Sequence, residues 1–555
     1  MVRAASRSHR NRVLAAGLVL LGTLAACQRE APETALPPAA SGGQVQPANG
    51  AAVSRYAAAR FADQASFGPT PALIAAIQAK GFNAWIDEQF ALPLLPFDAE
   101  PVRVVNNTDP VAGSRAAVYA ETRWTGALVA APDQLRRRIS WALSQYIVVS
   151  TRKVDRYGIL IYINLLQQHA FGNYGALLHA ITTNPGMGEY LDNIQNRPTS
   201  DDCPACTPNE NYARELMQLF SLGVVKLNLD GSVQRDARRL PVETYVQKDV
   251  EELARALTGW TYGVNAPGYD AVRYRDPLVP DSWEPAHDRG AKRVLGRDIG
   301  GGGNAAEDLD AVVALLMAHP NIAPFVSLRL IQHLVSSNPS PAYISRVATV
   351  FKNNGQGVAG DMKAVVKAIL LDPEARRGDQ VGSDSNGFGK MREPVLWYTG
   401  LLRGLGCSLP FLGTDNSTGS NYVHAPQSQQ PFSPSSVFSF YAPTDRAPGS
   451  NLLAPEQRLL NASELSARFW GLGIRESAIV RAAGCDAAPF VTAFRQSPNA
   501  FADLVGERYF RGAMPVVLRQ NLIALFSEVW GNDDHEKAMS LLLYALATPY
   551  YGAIL

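Results

Sequence analysis

Several catalytic signatures are missing from this 555-residue chain. It has no Gly-x-Ser-x-Gly elbow for a nucleophile and no His-Glu-x-x-His helix for zinc. The glycine run Ile299–Asn304 lacks the Gly-Lys-Ser/Thr ending that would make it a phosphate cradle. An excess of either charge is absent too: 51 Lys and Arg face 50 Asp and Glu, a formal +1. Nucleic-acid binding wants a basic stripe, and that balance argues against it. Cysteine is scarce, five in all, with a single Cys-x-x-Cys. Beyond the N-terminus, no apolar run is long and uniform enough to span a bilayer.

The N-terminus carries the compartment signal. "MVRAASRSHRNR" has four arginines and no acid, then comes the apolar "VLAAGLVLLGTLAA" and Cys27. This is a signal-peptide layout over residues 1–26, and "LAAC" resembles a lipobox whose cysteine, Cys27, is lipidated. A plain secretory signal with an incidental cysteine is the simpler alternative. Gln28, rather than Asp, follows Cys27 and points to the outer membrane. Removing residues 1–26 leaves 529 residues with a formal charge of −3. Residues 27–53, rich in Pro, Ala and Gly, read as a lipidated flexible tether, and 54–555 as the folded body. In an oxidising compartment Cys203, Cys206, Cys407 and Cys485 are disulfide candidates. For "CPAC" a local structural bridge is expected, with half a zinc site or a redox pair as the alternatives.

Apolar spacing of three and four dominates the body, for example in "QLRRRISWALSQYIVVS", "DVEELARALTGW" and "AAEDLDAVVALLMAHP". The expected fold is all-α, one large helical body or two intimate helical subdomains. A minor β-hairpin is expected near residues 224–234, where Asp230-Gly231 sits between alternating apolar residues. The long polar stretch from about Gly413 to Pro455 embeds Tyr422, His424, Phe432, Phe438, Phe440 and Tyr441, and reads as a functional loop.

Eight motifs in order carry a family resemblance: "HAFGNYGALLHAITTNPGMGEYL", "NENYARELMQLFSLG", "LNLDGS", "DVEELARALTGW", "HDRGAKRVLG", "GFGKMREPVLWYTGLLRGLG", "FSPSSVFSFYAP" and "LLAPEQ". Together they resemble the bacterial family known as domain of unknown function 1800, from about Ala57 to the C-terminus. The resemblance implies an exported bacterial protein without an established activity. It also implies an exported sulfatase-like partner, since genes of the family often neighbour those of such proteins. Many members carry Trp-x-Asn-His-Phe early in the chain. Here Ser144 and Gln145 stand where Asn and His would be, so a role for that histidine does not transfer.

Candidate chemistry concentrates in "TPNENYARELMQLFSLG". Thr207 is placed as N-cap, Pro208 as first helical residue and Glu210 as the capping-box acid of a helix over 207–222. Glu210 can pair with Arg214, and Asn211 with Glu215, each four residues on. Glu210 and Glu215 lie about 140° apart around such a helix, so a catalytic partner must come from elsewhere. Asp249 in "DVEELARALTGW" and His287-Asp288 in "EPAHDRGAKRVLG" are the candidates, although a loop-packing ion pair is the plainer fate of His287. Two functions follow as expectations. One is a carboxylate-dependent hydrolase of a carbohydrate-type polymer, using Glu210, Asn211, Arg214, Glu215, Asp249, His287 and Asp288. The other is a binding or assembly lipoprotein that uses the 422–441 loop as its contact surface. No cofactor or metal is assigned.

Overall fold

In the computed structural model the described residues are 52–104, 110–265, 269–283, 286–382, 388–408, 427–470, 480 and 484–554. Residues 1–26 expected to form the signal segment, Cys27, nearly all of the expected tether, Tyr422 and His424 lie outside them. Residues Ala52–Leu555 form one compact unit, mostly helical, with three two-stranded antiparallel pairs among the described residues.

Two hydrophobic cores fill that unit. The larger one is built where Gln134–Ser144 packs on Phe82–Ala91, on Arg156–His169 and on Ile322–Leu334. Leu135, Ile139, Leu160, Leu166, Leu330 and Ile331 interdigitate there without exposure. The smaller core joins Pro394–Gly404 to the C-terminal helices Ala488–Gln496, Pro498–Tyr509, Val516–Leu525 and Asp534–Leu546 through Leu401, Phe490, Phe501, Leu518 and Leu542. Strand Lys390–Met391 pairs with Ala553–Ile554 and returns the chain end to the start of the Pro394–Gly404 helix. A buried carboxylate, Asp63, also spans the cores, taking two hydrogen bonds from Arg392 (both 3.1 Å) and two from Arg511 (3.0 and 2.8 Å).

Local signals decide several boundaries. Asn304 caps Ala305–Ala318 with Glu307 closing the box, as the spacing implies. The expected helix over 207–222 shrinks to Asn211–Gln218. Thr207 and Pro208 stay outside the helix, Glu210 makes no capping bond, and Asn209 Oδ1 holds the Asn211 amide instead at 2.9 Å. The reason is tertiary: Asn196 grips Asn209 at both its N–H (2.7 Å) and its carbonyl (3.1 Å), so the backbone there cannot wind. Gly223 ends the segment with φ +75°, its N–H bonded to Met217 O. Asp230-Gly231 makes the expected tight turn, with Leu227 opposite Val233 and φ +78° at Gly231.

Both disulfides form, Cys203–Cys206 and Cys407–Cys485. The described part of the 413–455 stretch departs from a free loop. Phe432 is buried against Trp124 and Tyr441 is buried with its hydroxyl on Glu393 Oε2, so two of its aromatics serve the interior. Among the described residues no single helix is long and apolar enough to cross a membrane.

Candidate functional site

A cleft of about 380 Å³ opens between the loop after the short helix Pro185–Tyr190 and the segment that leads into Asn211–Gln218. Gly188, Glu189, Asp192, Asn196 and Arg197 form one wall, and Cys206, Thr207 and Asn209 the other, with Lys153 beside them. A second cavity, beside Arg137 and Trp141, measures only about 10 Å³, room for one water.

The wall is held by backbone in an unusual state. Asp192 (φ +59°) and Gln195 (φ +54°) are both left-handed without being glycine. Such conformations persist only where surrounding contacts enforce them, and they concentrate at binding sites. Here the enforcing contacts are the amides of Asn193 and Ile194 on Gly188 O (2.8 and 3.1 Å) and Gln195 N–H on Trp260 O (2.7 Å).

Glu189 is the most constrained carboxylate of the cleft. Its Oε2 accepts from Tyr274 Oη (2.7 Å), Tyr262 Oη (2.9 Å) and Arg273 Nη2 (3.2 Å). The Arg273 guanidinium lies over the rings of Tyr262, Tyr269 and Tyr274 at 5.3, 4.9 and 5.1 Å. Burial, followed by the Glu189 contact, pushes both phenols above their ordinary range, so they remain protonated donors. On the same wall Arg197 is paired with Asp281 (3.2 Å) and stacked on Trp283 (4.4 Å), and Lys153 is paired with Asp192. The cleft therefore presents fixed acceptors, amides and balanced charge, and none of the described residues lining it is aromatic.

The sequence-derived residues fall into three places. Asn211 reaches the cleft rim, where its Nδ2 donates to Asp192 Oδ2 at 3.3 Å rather than to Glu215. Glu210 pairs with Arg214 at 2.8 Å as the spacing implies, and Gln247 joins them. Glu215 is 6% exposed, and its Oε2 has no hydrogen-bond partner. Burial pushes its carboxyl up, against the opposing pull of Arg214, and Tyr190 and Tyr245 are its other electrostatic neighbours.

Asp249, His287 and Asp288 are elsewhere, each with its own structural work. Asp249 accepts from the amides of Val246 (2.9 Å) and Leu295 (2.7 Å), capping its helix. Asp288 forms a two-pronged pair with Arg255 at 2.7 and 3.1 Å. His287 Nδ1 lies 2.9 Å from Thr258 O, and its Nε2 lies 3.3 Å from Asp308 without an aligned hydrogen bond between them. Lys292 sits 2.5 Å from the same carboxylate. Burial opposes charge on Asp308, and the His287 and Lys292 contacts outweigh it, so Asp308 lies below the usual carboxylate range. None of these three residues hydrogen-bonds to Glu210 or Glu215.

Glu189 and Asp192 were invisible to sequence reasoning. The one local hint is "PGMGEYLDN", in which small residues let the chain pack closely: a Cβ on Gly188 would come within 2.9 Å of Leu278. Among the described residues no group of three or more His, Cys, Asp or Glu is arranged to hold a metal.

No curated protein and no solved structure matches the chain. The family described as protein of unknown function (DUF1800) matches residues 60–553, nearly the whole length, and the chain belongs to that family.

Proposed function

We propose that the protein is an exported lipoprotein, anchored to the outer membrane through Cys27, that binds a carbohydrate-type polymer in the 188–209 cleft. One observation carries this reading. Glu189 Oε2 is saturated by three protein donors while, among the described residues, Oε1 receives none, which leaves a rigid, pre-oriented acceptor on a cleft wall. Sugar hydroxyls are recognised by such fixed carboxylates and amides. Pre-organisation favours binding because little side-chain freedom remains to be lost.

A depletion assay tests the reading. Purified protein is mixed with insoluble cellulose, chitin or peptidoglycan sacculi, and the supernatant is measured. Saturable depletion by at least one polymer is expected. Depletion by none of them refutes the proposal.

One observation favours a second reading, a carboxylate-dependent hydrolase of the same polymer class. Glu215 is buried with an unpartnered oxygen and a raised pKa, the state a general acid requires. On this reading Glu215→Gln abolishes release of reducing sugar while folding stays intact. Unchanged release would sink the assignment. The exported sulfatase-like protein remains the partner to seek in pull-downs from membranes.

A further inference from the structure

Residues 224–244 build a small pedestal whose far end is chemically unlike the rest of the surface. Three extended runs pair two by two, with Lys226 N–H on Val242 O (2.8 Å), Gln234 N–H on Lys226 O (2.8 Å) and Val242 N–H on Gln234 O (3.0 Å). The Asp230-Gly231 end is fixed to the body. Asn321 grips Leu227 N–H (2.6 Å) and the carbonyls of Leu222 and Val225, and Gly231 lies against Ile344. The 236–240 turn closes the opposite end, about 13 Å away at four residues of extended chain.

That turn is rigid. Asp236 Oδ1 accepts from the amides of Arg238 and Leu240, both at 2.9 Å, and Arg239 is left-handed at φ +64°. The Asp236 carboxylate is thus taken up by backbone, and among the described residues no acid pairs with Arg238 or Arg239. Arg235 donates to Arg239 O at 2.8 Å and adds a third exposed guanidinium. Beside them Leu240 is 57% exposed. Elsewhere exposed arginines of this chain are typically paired, as Arg55 is with Glu507 and Arg519 with Asp503.

We infer that the Arg235–Leu240 tip docks on an anionic phospholipid surface. The arginines complement lipid phosphates, and Leu240 enters the boundary between headgroups and acyl chains. An acidic polysaccharide would use the arginines but gain nothing from the exposed leucine, so lipid is the occupant the chemistry favours. This inference does not depend on what the cleft binds.

The test uses the mature chain carrying Cys27→Ala, so that no acyl chain contributes. It is sedimented with vesicles of phosphatidylcholine alone or mixed with phosphatidylglycerol. Binding to the anionic vesicles only, weakening with added salt, is expected. Replacing Arg238 and Arg239 together by Ser should lower it about 25-fold, from roughly fivefold per basic side chain at an anionic surface. Leu240→Ser should lower it further at constant charge, with cleft binding unchanged in all variants. No binding to anionic vesicles, equal binding to both kinds, or an undiminished arginine variant would each overturn the inference. So would retention on soluble heparin that is indifferent to Leu240→Ser.

Discussion

Replacing Asp63 with alanine should loosen the joint between the two cores more than any surface change. The carboxylate is 3% exposed and satisfies two guanidiniums from distant parts of the chain through four hydrogen bonds of 2.8 to 3.1 Å. Burial opposes its charge, and Arg392 and Arg511 outweigh that, holding it below the usual carboxylate range. Among the described residues, truncation leaves Arg392, itself 3% exposed, with Tyr551 O at 3.0 Å and the Tyr551 ring at 4.4 Å. Removing one member of a buried ion pair costs about 3–5 kcal/mol, because the remaining charge is uncompensated. Asp63→Asn, which keeps an acceptor oxygen, should fall at the lower end of that range. Urea unfolding followed by tryptophan fluorescence gives the difference directly. A depressed folded-state pKa means the contribution is complete above the unfolded value near 4 and lost as pH falls through the folded one. The gap between wild type and variant should therefore be constant from neutral pH to about pH 4 and close below it. A loss under about 1 kcal/mol, the size of an exposed pair, would refute this account of the joint.

Two further predictions concern other parts of the chain. Glu215 has a raised folded-state pKa, so its contribution to stability is complete below the unfolded value and is lost as pH rises. Glu215→Gln should accordingly be more stable than wild type at pH 8 and equal to it at pH 4; thermal melts at the two values decide, and a variant destabilised at pH 8 contradicts the environment described for Glu215. Cys27→Ala should move the protein from the membrane pellet to the soluble fraction of cell envelopes. Continued retention would refute lipid as its sole attachment.

Much of the helical framework is legible in the sequence because it depends on local periodicity and caps. Asn304 and Glu307 are three residues apart, and their box needs nothing beyond the chain segment itself. Thr207, Pro208 and Glu210 form an equally good local pattern, yet Asn196 holds Asn209 at both its N–H and its carbonyl and the helix starts later. Local preference is worth a fraction of what the tertiary clamp contributes. The cleft was illegible for a related reason. Glu189 looks like any polar residue after a glycine, and the tyrosines that orient it are 73 and 85 positions away. The carboxylates that do stand out, Asp249 and Asp288, are conspicuous because they cap and pair, and those tasks consume them. Glu215 shows a limit of wheel-based reasoning: on a polar arc by periodicity, it is buried because neighbouring elements cover that arc.

The central claim is that the cleft holds a polymer through a pre-oriented Glu189. Its most direct test is the affinity of wild type and Glu189→Gln for the polysaccharide that depletes the protein, with Glu243→Gln, on the exposed pedestal, as control. A hydrogen bond to a charged acceptor contributes about 1.5–3 kcal/mol, so Glu189→Gln should bind at least about tenfold more weakly, with its circular dichroism and the control's affinity unchanged. Equal affinity of the two proteins would contradict the account.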